Sequence, residues 1–378
     1  MISRNTYNLY NALQVTLNVN IKIWEKNGWH LGPETVLPAN FVRLKKYRNF
    51  LKCLIWCGRM GAQYFWWLLL PCIWFQIFCA LPKLLFLRKY RDRNNLSDTV
   101  FFYNSGRFFS TYISSGRKDE AIILDVNPRR LKVPADFADY SRVSFWRFLK
   151  VKDLFAIFPQ WFTLLVMMHR YHRQQYVMLQ AFKLLLVQRA LLNYPDLKRI
   201  IFCNTDRWSY ICAAIPQCEK IFMQHGLLIP KIMQFYFPRK WLHISLFYGY
   251  NSEYAKIASL FIRKIDKVEY FRPQIQLSPV KVPEGKKSVL LIGCSTLFAD
   301  KETEIIAEYA QKDDVVLYVK PHPTSSAGIY WDLKEKYNFI FIADKKFFPD
   351  VDLVISYESA LAYEYQLCGK EVFIQSTL

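Results

Sequence analysis

Short β-rich runs alternate with longer helical stretches along most of this chain, and this alternation constrains the fold more than any other feature. Strands that alternate with helices predict parallel sheets with helices on both faces. The first series of predicted strands is TVFFY from Thr99, AIILDV from Ala121, RIIFC from Arg199, KIFM from Lys220 and SLFYGY from Ser245. The predicted helices between them include Leu154–Met168 and Gln174–Leu192. The sequence therefore predicts an α/β protein.

A stretch rich in proline divides the chain into two such units. Residues 272–287 contain three Pro and one Gly with little periodicity, so they are interpreted as a linker. The second series of predicted strands is SVLLIG, VVLYVK, FIFIA, LVIS and EVFIQ, with helices at Lys301–Gln311 and about 359–367. We thus expect a basic, aromatic segment at 1–95, one α/β domain at 96–271 and another at 288–378. Two domains of this kind form a cleft between the carboxyl ends of their sheets.

Charge is distributed unevenly between the two halves. The chain carries a net charge of +20, but from residue 288 onward 8 Lys and Arg face 14 Asp and Glu, while the first 287 residues hold 43 against 17. This asymmetry indicates an anionic partner for the first part. The 17% aromatic content favours lipid, and no nucleic-acid recognition motif is found. None of the nine Cys forms a Cys-x-x-Cys pair, which indicates reduced thiols and a cytoplasmic location.

One hydrophobic run has nearly the length of a membrane span. Residues 64–87 (YFWWLLLPCIWFQIFCALPKLLFL) are interrupted by Pro71, Gln76, Pro82 and Lys83, and basic residues flank the run on both sides. The first forty residues are polar and mixed, so no signal peptide is expected there. We expect a re-entrant or in-plane helix on the cytoplasmic face of an anionic membrane, peripheral or monotopic. A helix buried inside the protein is the alternative.

Two short motifs in the last hundred residues suit phosphate binding. Lys320-Pro321-His322-Pro323 follows the strand VVLYV and offers a cation and a His held between two prolines, with three hydroxyl groups after them. Further on, Ser356 and Ser359 lie where a predicted strand enters a helix, and a helix N-terminus favours a phosphate. On that helix, Glu364 is placed to accept hydrogen bonds from ribose hydroxyls. Each motif can also be an ordinary turn or helix surface.

A third motif, Gln224-His225-Gly226, follows the strand KIFM. The order of these three motifs resembles that of GT-B glycosyltransferases that use cytidine nucleotides. They include bacterial sialyltransferases and polysialyltransferases, capsular Kdo transferases and the glycerophosphotransferases that use CDP-glycerol. The resemblance begins at about Arg199 and implies a GT-B-like fold of two Rossmann-like domains, with the acceptor side at 96–271 and the nucleotide-sugar side at 288–378. It assigns phosphate contacts to His322, Ser356 and Ser359, and less directly a place in the nucleotide site to Lys320, Pro323 and Glu364.

The acceptor side offers two candidates for a general base. His225 follows a predicted strand and has a side-chain pKa suited to accept a proton near neutral pH. The sialyltransferases have an acidic-Asp-Gly motif where this chain has Gln-His-Gly, and the glycerophosphotransferases have His-Gly. Asp206, after the strand RIIFC, competes for the role, and Asp125 is a third candidate. Each of the three can instead cap a strand or a helix.

A possible metal motif is interpreted as structural. Asp350-Val351-Asp352 matches Asp-x-Asp but precedes a buried strand in a Pro-Asp turn, so no metal and no cofactor is expected. The expected function is inverting transfer of sialic acid or Kdo from a CMP-activated donor to a glycan or glycolipid acceptor in capsule or lipooligosaccharide synthesis. The alternatives are transfer of a polyol phosphate from CDP-glycerol and a non-catalytic membrane scaffold.

Overall fold

A computed structural model describes most of the chain outside the first 68 residues. The described residues are 9–10, 12–13, 69–87, 96–103, 108–126, 133–172, 178–203, 207–216, 218–224, 241–273, 275–293, 299–321, 328–357 and 359–374. Their helices are α1 (Leu69–Leu87), α2 (Phe108–Ser114), α3 (Val151–His172), α4 (Met178–Leu192), α5 (Arg207–Ala213), α6 (Ser252–Phe261), α7 (Ala299–Ala310), α8 (Gly328–Lys334) and α9 (Ala360–Leu367).

The first sheet is parallel throughout and has seven strands within the described chain. In sequence they are β1 (Thr99–Tyr103), β2 (Ile122–Asp125), β3 (Arg142–Ser144), β4 (Arg199–Cys203), β5 (Glu219–Met223), β6 (Trp241–Gly249) and β7 (Ile262–Tyr270). In space their order is β3-β2-β1-β4-β5-β6-β7. The direction of winding therefore reverses between β1 and β4, as in doubly wound folds.

Two layers of helices cover one face of this sheet. Helix α4 is buried on nearly every side, and Leu184, Leu185, Leu186 and Val187 are all inaccessible in succession. A helix that is apolar all round must be covered on both sides. Helices α1 and α3 supply the second cover, because each contacts α4 and the other.

The second sheet is smaller and again parallel. Its strands are β9 (Lys287–Ile292), β10 (Val315–Lys320), β11 (Ile340–Phe341), β13 (Leu353–Ser356) and β14 (Glu371–Ile374), in the spatial order β11-β10-β9-β13-β14. Its winding reverses between β9 and β13. The stretch 272–287 is not featureless, because β8 (Ser278–Pro279) within it pairs with β12 (Pro349–Asp350).

Buried polar contacts close the amino edges of both sheets. Before β2, Asp119 accepts two hydrogen bonds of 2.8 Å from Arg117 and one of 3.3 Å from Arg199. Burial by itself raises the pKa of Asp119, but hydrogen bonds from Arg117 and Tyr112 outweigh it and lower the pKa. In the second sheet, the Asp352 carboxylate accepts hydrogen bonds from the N–H and hydroxyl of Ser288 at 2.8 and 2.7 Å.

The sequence prediction of parallel α/β structure is confirmed, with some shifted boundaries and one long strand missed. Strand β7 was not predicted because it follows α6 without a break and carries five charged residues. It is an edge strand, where charge is tolerated and opposes unwanted pairing. The predicted helix at 64–87 is observed as Leu69–Leu87, and residues 64–68 lie outside the described residues. No helix among the described residues is long and apolar enough to cross a membrane.

Candidate functional site

Three central strands of the second sheet end level with one another. In the register, Lys320 of β10 pairs with Ile292 of β9, and Ile292 pairs with Ser356 of β13. This row lies where the winding reverses, and ligands of doubly wound sheets bind outside the carboxyl ends of strands at such a point. Lys320 and Ser356, which belong to two motifs that the sequence analysis treated separately, therefore lie at the same edge of the sheet.

The two serines have different surroundings at this edge. Ser356 is fully buried, and its hydroxyl donates to the carbonyl of Ile292 at 3.1 Å. Ser359 is the N-cap residue of α9, yet its side chain makes no capping hydrogen bond to the helix. An N-cap serine usually accepts a hydrogen bond from a backbone N–H of the first turn. The carbonyl of Ser359 accepts from the N–H of Ala362 at 3.1 Å, while its hydroxyl occupies none of the N–H groups of the first turn.

The side chain of Lys320 is bound by the protein itself. Its ammonium donates to the carbonyls of Asp344 and Phe347 at 2.6 and 2.9 Å and lies 4.9 Å from the Phe348 ring centre. The side chain is buried, and burial lowers its pKa. In this structure two N–H donors of the Lys320 ammonium hold the loop between β11 and β12.

Three acidic residues of the second domain were singled out from the sequence. Glu364 lies half-buried on α9, in the turn after Ser359. Asp350 forms an ion pair with Lys370, while Asp352 is held by Ser288 at the opposite edge of the sheet. The side chains of the Asp-x-Asp motif thus contact donors of the protein, and the expected independence of metal stays a prediction.

The four remaining site candidates are His225, Asp206, His322 and Pro323, and they lie outside the described residues. The elements leading to them are described. Cys203 ends β4, three residues before Asp206; Met223 ends β5, two residues before His225. The two strands are parallel neighbours, so Cys203 and Met223 lie side by side at the same carboxyl edge.

Residue Gln224, next to His225, anchors the end of β5. It is fully buried, its N–H donates to the carbonyl of Tyr248 at 2.8 Å, and its side-chain oxygen accepts from the N–H of Tyr250 at 3.2 Å. A Cβ at Gly249 would lie 2.8 Å from the Phe247 ring and 3.3 Å from this oxygen. A larger residue at position 249 would therefore disturb the hydrogen bonds of Gln224 at the end of β5.

Asp125, the third candidate base, already has a cationic partner. It ends β2, and its carboxylate accepts a hydrogen bond of 3.1 Å from Nε of Arg142. The Arg142 guanidinium also lies 5.8 Å from the ring centre of Tyr103, at the end of β1. The Asp125 carboxylate is therefore already engaged in an ion pair with Arg142.

A tyrosine cluster joins the two domains, and sequence reasoning missed it. Tyr363 of α9 stacks on Tyr250 with a centroid distance of 5.4 Å and meets Tyr254 edge-on at 5.1 Å. Burial, with the nearby Tyr363 hydroxyl, raises the pKa of Tyr254 far above its usual range. Because α9 starts at the carboxyl edge of one sheet and Tyr250 follows β6 of the other, this cluster links the two edges. The signal available in the sequence was the high density of Tyr in both segments.

Comparison with solved structures finds similarity where comparison of sequences does not. No family model matches the sequence, and no curated protein matches it. Among solved structures, the chain is similar to HepE of Anabaena, determined in complex with UDP and glucose. The similarity has 13% sequence identity and a TM-score of 0.38, and it covers 73% of this chain and 80% of HepE. At these values the likeness carries neither the fold nor the ligands of HepE over to this chain.

Proposed function

We propose that this chain is a glycosyltransferase whose nucleotide-sugar donor binds at the carboxyl edge of the second sheet. The observation that carries the proposal is the reversal of winding between β9 and β13, with the start of α9 directly beyond it. Backbone N–H groups at a helix start suit the phosphates of a nucleotide. The tyrosine cluster links the carboxyl edges of the two sheets. The acceptor would bind at the edge of the first sheet, opposite the donor, as a GT-B-like arrangement requires.

The proposed donor is a cytidine nucleotide, CMP linked to sialic acid or Kdo. This choice rests on the resemblance carried by the motifs at His225, His322 and Ser356. His322 and the turn from Ser356 to Ser359 would stabilise negative charge on the departing phosphate. His225 or Asp206 would take the proton from an acceptor hydroxyl. That hydroxyl would attack the anomeric carbon while the bond to phosphate breaks, and the configuration would be inverted. Such a reaction needs no divalent metal.

The proposed acceptor is a cell-surface glycan or glycolipid assembled on the cytoplasmic face of the plasma membrane. The charge distribution supports this choice, because the first 287 residues carry an excess of 26 positive charges. Capsule and lipooligosaccharide synthesis fit an enzyme that meets an anionic surface on one side and a soluble donor on the other.

A CDP-glycerol-dependent transfer of polyol phosphate is the closest alternative, because it shares the His-Gly and His-Pro motifs. It would release CMP and leave a phosphodiester in the product, whereas sugar transfer from a CMP donor leaves a glycosidic bond. Analysis of the product for phosphorus separates the two reactions. A membrane scaffold without catalysis would bind no nucleotide at all.

The test is calorimetric binding of CMP, CDP, UMP, UDP, GDP and ADP to the full chain, with His322→Ala alongside. We expect CMP or CDP to bind selectively and His322→Ala to weaken this binding by at least about tenfold, the loss of one charge-assisted contact. His243→Ala is the matched control, because His243 lies near the amino end of β6 and pairs with Asp266. Selective binding of UDP or GDP would overturn the cytidine assignment. No binding of any nucleotide would overturn the transferase.

A further inference from the structure

The two outermost helices of the first domain expose an unusual amount of apolar surface. Fourteen large hydrophobic side chains of the described chain are exposed, and eight of them lie on α1 and α3. They are Trp74, Phe75, Phe78 and Leu85 on α1 and Val151, Phe155, Phe162 and Val166 on α3. We call these eight residues the α1–α3 face. Large exposed apolar patches mark sites of interaction with another surface.

The side chains of this face are neighbours across the two helices. The Trp74 ring lies 6.4 Å from Phe155 and 5.1 Å from Phe158, and Phe158 stacks near Phe162 at 6.5 Å. On the opposite side of the same helices, Ile77 and Trp161 are buried in the core of the domain. Each helix therefore has one face in the protein core and one face that is apolar and exposed.

Basic residues outnumber acidic ones around the α1–α3 face, and Asp92 is the one acidic residue within the basic run that follows α1 in the sequence. Helix α1 contains no acidic residue. The one acidic residue of α3 is Asp153, which is buried and accepts hydrogen bonds from Arg189 and Asn193 at 3.0 Å each. Exposed lysines lie at positions 83, 150 and 152, and the sequence continues after α1 with basic residues at 88, 89, 91 and 93. An apolar centre with cations around it fits an anionic lipid surface.

We propose that the α1–α3 face is the membrane-docking surface of this protein, with its aromatic side chains inserted at the headgroup level of an anionic bilayer. This inference rests on the membrane location proposed above and is independent of the donor. Both helices lie against α4 by their inner faces, so they would lie along the membrane and not across it. A second copy of the chain fits this surface less well, because its lysines would meet lysines of the same sign.

The test is flotation of the full chain with vesicles of phosphatidylcholine alone or with about one third phosphatidylglycerol, a composition that sets a negative surface potential. We expect binding to the anionic vesicles. Phe75→Glu with Phe78→Glu should reduce it at least about tenfold, because two phenyl rings leave the lipid. Phe155→Glu, on the other helix, should also reduce binding. The three rings are substantially exposed, Phe75 and Phe78 by 68% and 70%, so the substitutions leave the core intact.

Phe373→Glu is the matched control, because Phe373 is 56% exposed on β14 in the other domain. It should bind vesicles as the unchanged chain does. The inference is overturned if the α1 variants keep full binding, or if the chain ignores vesicles and instead forms a dimer that the same variants dissociate. CMP binding measured on each variant separates the two proposals: lost flotation with intact CMP binding supports the docking surface, and absent CMP binding counts against the transferase alone.

Discussion

Polar side chains at the amino edges of the two sheets differ from those at the carboxyl edge of the second sheet in their hydrogen-bond partners. At the amino edges, Asp119 is bound by two arginines and Asp352 by Ser288, so these groups satisfy one another. At the carboxyl edge of the second sheet, Ser359 heads a helix that its side chain does not cap. A polar group that is hydrogen-bonded within the protein contributes to stability. A polar group at the start of a helix can instead bind a ligand. The difference predicts which substitutions change folding and which change binding.

The largest effect is expected at the junction between the carboxyl edges. Tyr363→Ala removes a buried ring that contacts Tyr250 and Tyr254, and it should lower the free energy of unfolding by about 3 kcal/mol. Tyr363→Phe keeps the ring and should lose about 1 kcal/mol or less. Urea denaturation followed by fluorescence measures both. Equal stability of the alanine variant and the unchanged chain would show that the two domains are not joined by this cluster.

A loss of similar or slightly smaller size is expected at the amino edge of the first sheet. Asp119→Asn leaves Arg117 and Arg199 without their shared carboxylate and should reduce stability by about 3 kcal/mol. Asp98→Asn is the control, because Asp98 and Lys198 form an exposed pair worth about 1 kcal/mol or less. Neither substitution should change nucleotide binding by the folded protein.

The acid dependence of stability sharpens this prediction. The pKa of Asp119 is lowered in the folded chain, so its contribution is complete above the usual aspartate pKa of about 3.9 and is lost as pH falls through the lowered value. The unchanged chain should therefore lose more stability than Asp119→Asn between about pH 4 and pH 2. Parallel curves for the two proteins over that range would contradict the assigned role.

Lys320 is an exception to this comparison. It lies at a carboxyl edge, but its ammonium is hydrogen-bonded within the protein, as the polar groups of the amino edges are. Lys320→Met leaves the carbonyls of Asp344 and Phe347 without a donor and should cost about 2 kcal/mol of stability. We expect nucleotide affinity to fall by less than about tenfold, the change that loss of a direct charged contact would cause. Calorimetry and thermal unfolding on one preparation decide between a supporting and a direct role.

The smallest change in stability is expected at Ser359. An N-cap Ser→Ala substitution usually costs about 1 kcal/mol, but the Ser359 side chain makes no capping hydrogen bond. Ser359→Ala should therefore change stability by less than about 0.5 kcal/mol while weakening CMP or CDP binding by about tenfold. A destabilised variant with unchanged affinity would remove the distinction between the two edges.

The strands could be predicted from sequence because a buried parallel strand is an uninterrupted apolar run, as in RIIFC and SVLLIG. The edge strand β7 could not, because IRKIDKVEY is charged and its pairing with β6 is a long-range contact. The position of Lys320 at the end of a strand was predicted correctly, but the sequence did not reveal the partners of its side chain. Side chains alternate along a strand, so Lys320 shares a face with Tyr318, and the carbonyls that receive it belong to a loop some twenty-five residues away. Local patterns cannot specify such a partner.

The central claim is that the carboxyl edge of the second sheet holds the nucleotide and that α9 connects it with the first domain. Hydrogen exchange of the full chain with and without saturating CMP or CDP tests this claim most directly. We predict slower exchange over residues 356–363, extending to the amides near Tyr250, with both effects absent in His322→Ala. Protection confined to other parts of the chain, or an unchanged pattern while the nucleotide is bound, would contradict the account.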